Sequence, residues 1–297
     1  MNIVQLKYFK TVANHQNVSR AAEELHISQP SLSNAIKELE REYNVTLFYR
    51  RNRKMILTSA GMSLYNAVDD LIMRYDRTER MMLDIGKQIR SLRLGIPPMI
   101  GSLILPRIYR EFVLKNPDID IKITERGRDV LLSQLEDDMV DMVILPHIDP
   151  FGEEFAAVQV GEFEIACCAN KGSRMAEYKS IDAKALREVP IVLFADSFFQ
   201  TKEIKLWFSR GGVTPNLLLQ TEQLSTAQRI IENGIAVGFM FNNLAKKLGD
   251  TVAIPMVPPI SMHISLLRKK SIYMSGSMKK FKDFMTDGNP FEELCIE

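Results

Sequence analysis

Residues 17–48, NVSRAAEELHISQPSLSNAIKELEREYNVTLF, constrain the fold more tightly than any other stretch of this chain. They encode two short helices on a tight turn. The first is expected to begin at Ser19, a favoured N-cap residue, with Ala21, Ala22 and Leu25 as its apolar positions. Small Ala21 and Ala22 let a second helix cross closely. His26-Ile27-Ser28 forms the turn, with Ile27 as the plug between the helices. Ser28 caps the second helix, and Pro30 sits in the first turn, where a missing N–H costs nothing. Leu32, Ile36 and Leu39 face inward at helical spacing. Gln29, Ser31, Ser33, Asn34 and Lys37 are left outward, a polar and nearly uncharged face suited to hydrogen-bonding base edges in the major groove of DNA. An ordinary solvated face carries more Glu and Lys.

Residues 45–58, VTLFYRRNRKMILT, read as a β-wing: a strand into Arg50, Arg51, Arg53 and Lys54 around Asn52, and a return through Met55-Ile56-Leu57. A cationic tip suits phosphates or the minor groove. Basic runs are common, so the tip alone also fits a solvated charge run. Turn, polar face and wing together leave that reading little room.

These segments resemble the winged helix-turn-helix of LysR-type transcriptional regulators. The resemblance rests on Ala21-Ala22, Leu25, Ser28-Gln29-Pro30-Ser31-Leu32-Ser33, Leu39-Glu40, Leu47-Phe48, Leu57-Thr58 and Ala60-Gly61. It implies that Ser19, Arg20, Gln29, Pro30, Ser31, Ser33, Asn34, Lys37, Arg50, Arg51, Arg53 and Lys54 meet double-stranded operator DNA. Asn34 departs from the pattern, standing where many relatives carry Arg or another long polar residue.

Charge distribution agrees with a nucleic-acid module joined to something else. Residues 1–93 hold 15 Lys and Arg against 10 Asp and Glu, a balance of +5, and the rest hold 23 against 27, or −4. No apolar run has the length of a membrane helix, and the N-terminus lacks a cationic-then-apolar leader, so no membrane partner and a cytoplasmic location are expected. Three cysteines do not make a disulfide framework. Cys167 and Cys168 are neighbours in an alternating apolar stretch and read as core residues of a strand. The scattered histidines give no metal cluster, and no cofactor is expected.

From Ser59 to about Ile89 there is no proline. Leu64, Val68, Leu71, Tyr75, Thr78, Met82, Ile85 and Ile89 recur at steps of four and three, a heptad seam. Packing on its own domain is the competing account. The corresponding segment of LysR-type proteins is the dimerising linker helix, so the resemblance implies a homodimer, and tetramers are common in that family.

Beyond residue 90 the pattern turns parallel α/β. Strands are expected at 91–95, 120–125, 142–145, 165–169, 191–194, 217–221, 237–240 and 264–268. Helices are expected at 103–115, 129–138, 182–188, 202–209, 226–233 (capped by Gly234) and 277–286. Leu105-Pro106, Phe112, Pro117, Asp141-Met142, Gly234 and Gly238 carry a looser resemblance to the family's effector domain, two subdomains like a periplasmic binding protein joined by two crossing strands. The expected domains are 1–58, the linker helix 59–89, and 90–297, with subdomain I about 90–161 and 268–297 and subdomain II about 162–267. Residues 172–176, Gly-Ser-Arg-Met-Ala, replace the family's frequent His-Pro-Leu-Ala, so nothing is transferred to that loop.

In such folds ligands bind beyond the carboxyl ends of strands, at helix N-termini. The candidates are Pro98, Met99, Ile100, Gly101, Ser102, His147, Phe199, Thr201, Gln223 and Thr226. Ser102, Thr201 and Thr226 could each instead be only a helix cap, and His147 an ordinary satisfied histidine. Few basic residues apart from Lys202 lie near, which favours a weakly charged or single-carboxylate small-molecule effector. An α/β enzyme with an incidental DNA module is the rival, but no nucleophile elbow, phosphate loop, dinucleotide fingerprint or metal motif is present.

Overall fold

The computed structural model describes residues 1–51, 54–86, 90–287 and 291. They form two compact units, Met1–Leu83 and Asp84–Glu297. The first contains α1 (Ile3–His15), α2 (Val18–Glu24), α3 (Gln29–Glu42), the hairpin β1 (Phe48–Arg51) and β2 (Lys54–Leu57), and most of α4 (Ser59–Ile85).

The helix α1 lies ahead of the segment that the sequence pattern singled out. Its Phe9 and Val12 are buried with Val18, Ala21, Ala22, Leu32, Ile36 and Leu39, and they complete a three-helix core. His26 takes φ +52 in the turn between α2 and α3, a left-handed step that redirects the chain sharply. Two other contacts hold the hairpin. Met55 N donates to Gln16 O at 2.8 Å, and Glu40 Oε1 accepts from Leu47 N at 2.7 Å and Phe48 N at 3.2 Å.

The heptad reading of α4 needs correction. Val68 and Ile72 are buried against Leu6 on α1, with Leu64 and Ile3 packed alongside. Lys10 and Asp69 pair across the same helices, as do Lys7 and Asp76 at 2.7 Å. Leu71, Tyr75, Met82 and Ile85 are exposed, Leu71 at 47%. The helix therefore uses one stripe internally and leaves a second one bare. Ile89 lies outside the described residues.

The second unit continues with β3 (Ser91–Ile96), α5 (Pro98–Arg107), β4 (Asp120–Glu125), α6 (Arg128–Glu136), β5 (Met142–His147), β6 (Phe155–Asn170) and β7 (Pro190–Phe194). After these come α7 (Phe199–Arg210), β8 (Asn216–Thr221), α8 (Leu224–Glu232), β9 (Gly238–Phe241), α9 (Asn242–Ala245), β10 (Thr251–Pro255), β11 (Ser261–Lys269) and α10 (Gly276–Asp287). A seven-stranded sheet runs β10-β6-β11-β5-β3-β4, with β9 also on β6, and β7 pairs β8 in parallel. Strand β6 pairs with β11 through residues 155–164 and with β9 and β10 through residues 165–170. It so passes from one lobe (β3, β4, β5 and β11) into a second (β7, β8, β9 and β10), and its pairing with β11 slips register between Ile264 and Ser265, a bulge.

Several local expectations shift. The 165–169 strand is the end of the much longer β6, and β10 had no counterpart in the reading. The 182–188 helix is a single turn, Ala183–Leu186. The helix placed at 103–115 starts at Pro98, whose fixed φ and missing N–H suit a first turn. It widens into a π segment at Ile108–Val113 just after Pro106. Gly234 takes φ +67 after α8, as a helix stop requires. Cys167 and Cys168 are buried in β6, and burial pushes the Cys168 thiol up to about 12 and that of Cys167 well above its usual value, so neither is a thiolate at neutral pH. Among the described residues, no helix is long and apolar enough to cross a membrane.

Candidate nucleic-acid interface and ligand crevice

In the first unit, α2 is capped by Asn17 and not by Ser19. The Asn17 side-chain oxygen accepts from Ser19 N at 2.9 Å and Arg20 N at 3.1 Å. Buried Val18 joins the core and starts the helix a turn position earlier, which moves the cap back. The Ser19 hydroxyl is thereby available to donate to Gln29 Oε1 at 3.0 Å. Ser28 caps α3, its hydroxyl oxygen accepting from Ser31 N at 3.2 Å and hydrogen-bonded to the Ser31 hydroxyl at 2.7 Å.

Ser19, Arg20, Gln29, Pro30, Ser31, Asn34 and Lys37 are exposed, whereas Ser33 is half-buried. Arg50, Arg51 and Lys54 are exposed as well, and Arg53 lies outside the described residues. Arg51 pairs with Lys54 and Arg50 with Met55, so alternation sends Arg50 to the opposite face from Arg51 and Lys54. A groove of about 400 Å³ is lined by Asn17, Val18, Ser19, Gln29, Arg50 and Met55. The start of α3 and one wing cation thus share one cleft, and the basic hairpin is two-sided instead of a single tip.

In the second unit the crevice candidates separate. Met99, Ile100 and Gly101 are buried in the first turn of α5, and Pro98 is half-buried. A Cβ on Gly101 would lie 2.5 Å from Glu125 Oε1, so the glycine makes room for that carboxylate. Ser102 is exposed, but its hydroxyl donates to Met99 O at 2.8 Å. Thr201 is fully buried and donates to Phe194 O at 3.2 Å, tying α7 to β7. Each of these hydroxyls serves its own lobe's backbone. Thr226 donates to Gln223 Oε1 at 3.1 Å at the start of α8.

His147 ends β5 with both ring nitrogens engaged. Nε2 meets Ser265 Oγ at 2.8 Å and Nδ1 meets Asp149 O at 3.0 Å, which suits a neutral ring donating from Nδ1. Burial lowers its pKa from the usual 6.5; the Asp149 carbonyl opposes this, and His263 and Arg128 add to it. The ring packs 4.6 Å from Phe151 and 5.6 Å from His263.

The residue that joins these parts is Arg128, which the sequence reading missed. Its guanidinium stacks 4.7 Å from the Phe199 ring and 5.4 Å from that of Phe151, and Nε donates to Pro146 O at 3.0 Å. Beside it Lys202 binds Asp129 at 2.6 Å. Burial opposes ionisation of Asp129, but Lys202 and Arg128 outweigh it and its pKa is lowered. Gly127 abuts the second lobe, where an added Cβ would stand 2.8 Å from Ser197 O. One signal could have found Arg128: a cation at the first position of a helix opposes the helix dipole.

Comparisons with known proteins bear on both units. Residues 3–62 match the family described as "Bacterial regulatory helix-turn-helix protein, lysR family", and residues 86–290 match "LysR substrate binding domain". The chain is 27% identical over 281 residues to a Bacillus subtilis (strain 168) protein described as "Uncharacterized HTH-type transcriptional regulator YwbI", covering 93% of this chain and 92% of that one. It is 24% identical to the "Hydrogen peroxide-inducible genes activator" of Haemophilus influenzae, covering 87% and 86%. Among solved structures, that of full-length CbnR "complexed with the target DNA complex" is similar in fold, with TM-score 0.69 and 20% identity over 97% of this chain and 100% of that one.

Proposed function

Because this chain belongs to the LysR family of DNA-binding transcriptional regulators, we propose that it reads operator DNA through α3 and the basic hairpin, and that a small molecule in the second unit alters that grip. The observation that carries the reading is the shared groove, in which Gln29, at the start of α3, lies beside Arg50. Gln29 offers an amide to a base edge, with Asn34 and Lys37 further along the same helix. Arg51 and Lys54, on the other face of the hairpin, supply charge to phosphates.

The regulator works in the cytoplasm as a homodimer. Exposed Leu71, Tyr75 and Met82 support this, as does an apolar cleft of about 430 Å³ lined by Ile3, Leu6, Leu71 and Tyr75 among others. A second copy would cover that apolar surface and set two α3 helices for two half-sites. Exposed Leu217, Leu218 and Leu219 on β8 are a second apolar strip, in keeping with a tetramer. The effector is a weakly charged or single-carboxylate metabolite. An enzymatic α/β domain is not favoured, since the relatives named above are transcriptional regulators or genes activators.

Selection of binding sites from random DNA, followed by footprinting upstream of the chain's own gene, tests this. Wild type should enrich one palindromic site, and Gln29→Ala should lose about 1–3 kcal/mol on it and relax preference at one base step. An unchanged preference would remove Gln29 as a reader.

A further inference from the structure

Because Asn17 caps α2, the Ser19 hydroxyl has no capping duty of its own. It turns instead across to α3 and donates to Gln29 Oε1 at 3.0 Å, joining side chains ten residues apart. Both residues are exposed, and both line the groove that Arg50 also borders. A bond between two exposed polar side chains adds little to folding, since water can serve either group. What it does fix is the direction in which the Gln29 amide faces.

The neighbours of Gln29 make that direction matter. Gln29 is the first residue of α3, directly after the Ser28 cap. Pro30 follows with no polar side-chain atom, and the Ser31 hydroxyl is hydrogen-bonded to that of Ser28 at 2.7 Å. In the opening turn of α3 the Gln29 amide is therefore the side-chain group not tied to the helix's own cap.

An amide has one accepting end and one donating end, and rotation about the last side-chain torsion exchanges them. A free glutamine can thus meet a base edge in either sense. With Oε1 held by Ser19, one carbonyl lone pair is occupied and the other stays open. Nε2 has no partner among the described residues. One acceptor beside one donor is the pattern that adenine N6 and N7 require in the major groove. The Ser19 hydroxyl also polarises the carbonyl, which strengthens the amide N–H donors, and a rotor fixed in advance lowers the ordering cost of binding.

We propose that Ser19 is a positioning residue: it locks the Gln29 amide in one sense and so makes adenine the base that α3 accepts at that step. Ser19 acts through Gln29 and not through a DNA contact of its own. This deepens the reading of Gln29 given above and rests on it.

The test uses the full chain. Sites are selected from random DNA, and the chosen duplex is titrated beside its three single-base variants at the step that Gln29→Ala relaxes. Wild type should prefer adenine there. Ser19→Ala should cut that preference by about fivefold, the worth of one net hydrogen bond. Other steps, the salt slope and the Tm should stay as in wild type. Ser19→Thr retains the hydroxyl and should retain the preference, and Ser19→Ala should do nothing further in a Gln29→Ala background. The proposal is overturned if the preferred base is not adenine, or if Ser19→Thr loses the preference as Ser19→Ala does. Equal weakening of all four duplexes by Ser19→Ala, or an effect that adds in full to that of Gln29→Ala, would make Ser19 a contact in its own right and also overturn it. A lowered Tm with preference intact would leave Ser19 a purely structural residue. A response to Gln29→Ala without one to Ser19→Ala removes the positioning role alone, whereas no response to Gln29→Ala removes the underlying reading as well.

Discussion

Replacing Gly61 with alanine should destabilise the N-terminal unit, although alanine is the better helix former by about 1 kcal/mol. Gly61 lies in the opening turn of α4, and a Cβ there would come 2.2 Å from Leu47 O and 3.0 Å from Leu57 Cδ2. The closest atom is backbone and is held in place: Leu47 O accepts from Thr58 N at 3.0 Å, and Leu47 N donates to Glu40 Oε1 at 2.7 Å. Relief requires the hairpin to move away from α4. Overpacking costs about 1–3 kcal/mol, and so short a contact with backbone places this one near the top of that range. Less the helix-propensity gain, about 2 kcal/mol of destabilisation remains. For a unit of this size that lowers Tm by on the order of 10 °C. Far-UV circular dichroism of the full chain should show an earlier first transition. The single tryptophan, Trp207, lies in the other unit and serves as an internal control whose fluorescence transition should stay put. A Tm equal to or above wild type would refute the packing argument.

Other perturbations probe the remaining parts. Arg51→Ala and Lys54→Ala should weaken specific and non-specific DNA alike and reduce the salt slope by about 0.9 each, measured by binding titrations across ionic strength; a change of base preference with the slope intact would make the wing a direct reader. Leu71→Glu adds charge at a site 47% exposed within the chain, so the fold should survive while sedimentation shows monomers; a normal dimer would confine α4 to its internal packing. His147 has a pKa lowered from 6.5, so its stabilising contribution is complete above that value and is lost as pH falls through 6.5 toward the folded value. The Tm should therefore drop on acidification from neutral pH, and His147→Asn should flatten that part of the profile; an identical profile in the variant would clear His147 of the effect.

Local chemistry alone made much of this protein legible. Ser28, Pro30 and the spacing of Leu32, Ile36 and Leu39 specify α3 and its outward face, because caps and periodicity act within a few residues. Alternation and Gly234 marked the later strands and the stop of α8 for the same reason. Tertiary structure decided whatever depends on a distant partner. Val68 faces inward only because Leu6 on α1 meets it, so one periodic pattern on α4 divides into a buried stripe and a bare one. Asn17 caps α2 because Val18 is drawn into the core. Thr201 and Ser102 look alike in sequence, yet Ser102 bonds to Met99 O within its own helical turn, whereas Thr201 is buried against Phe194 O on β7, a carbonyl that only the packing of α7 on that strand brings within reach. Arg128 gains its place only when Phe151 and Phe199 close on it from two lobes, and no local pattern encodes that meeting because the three residues share no helical or strand period.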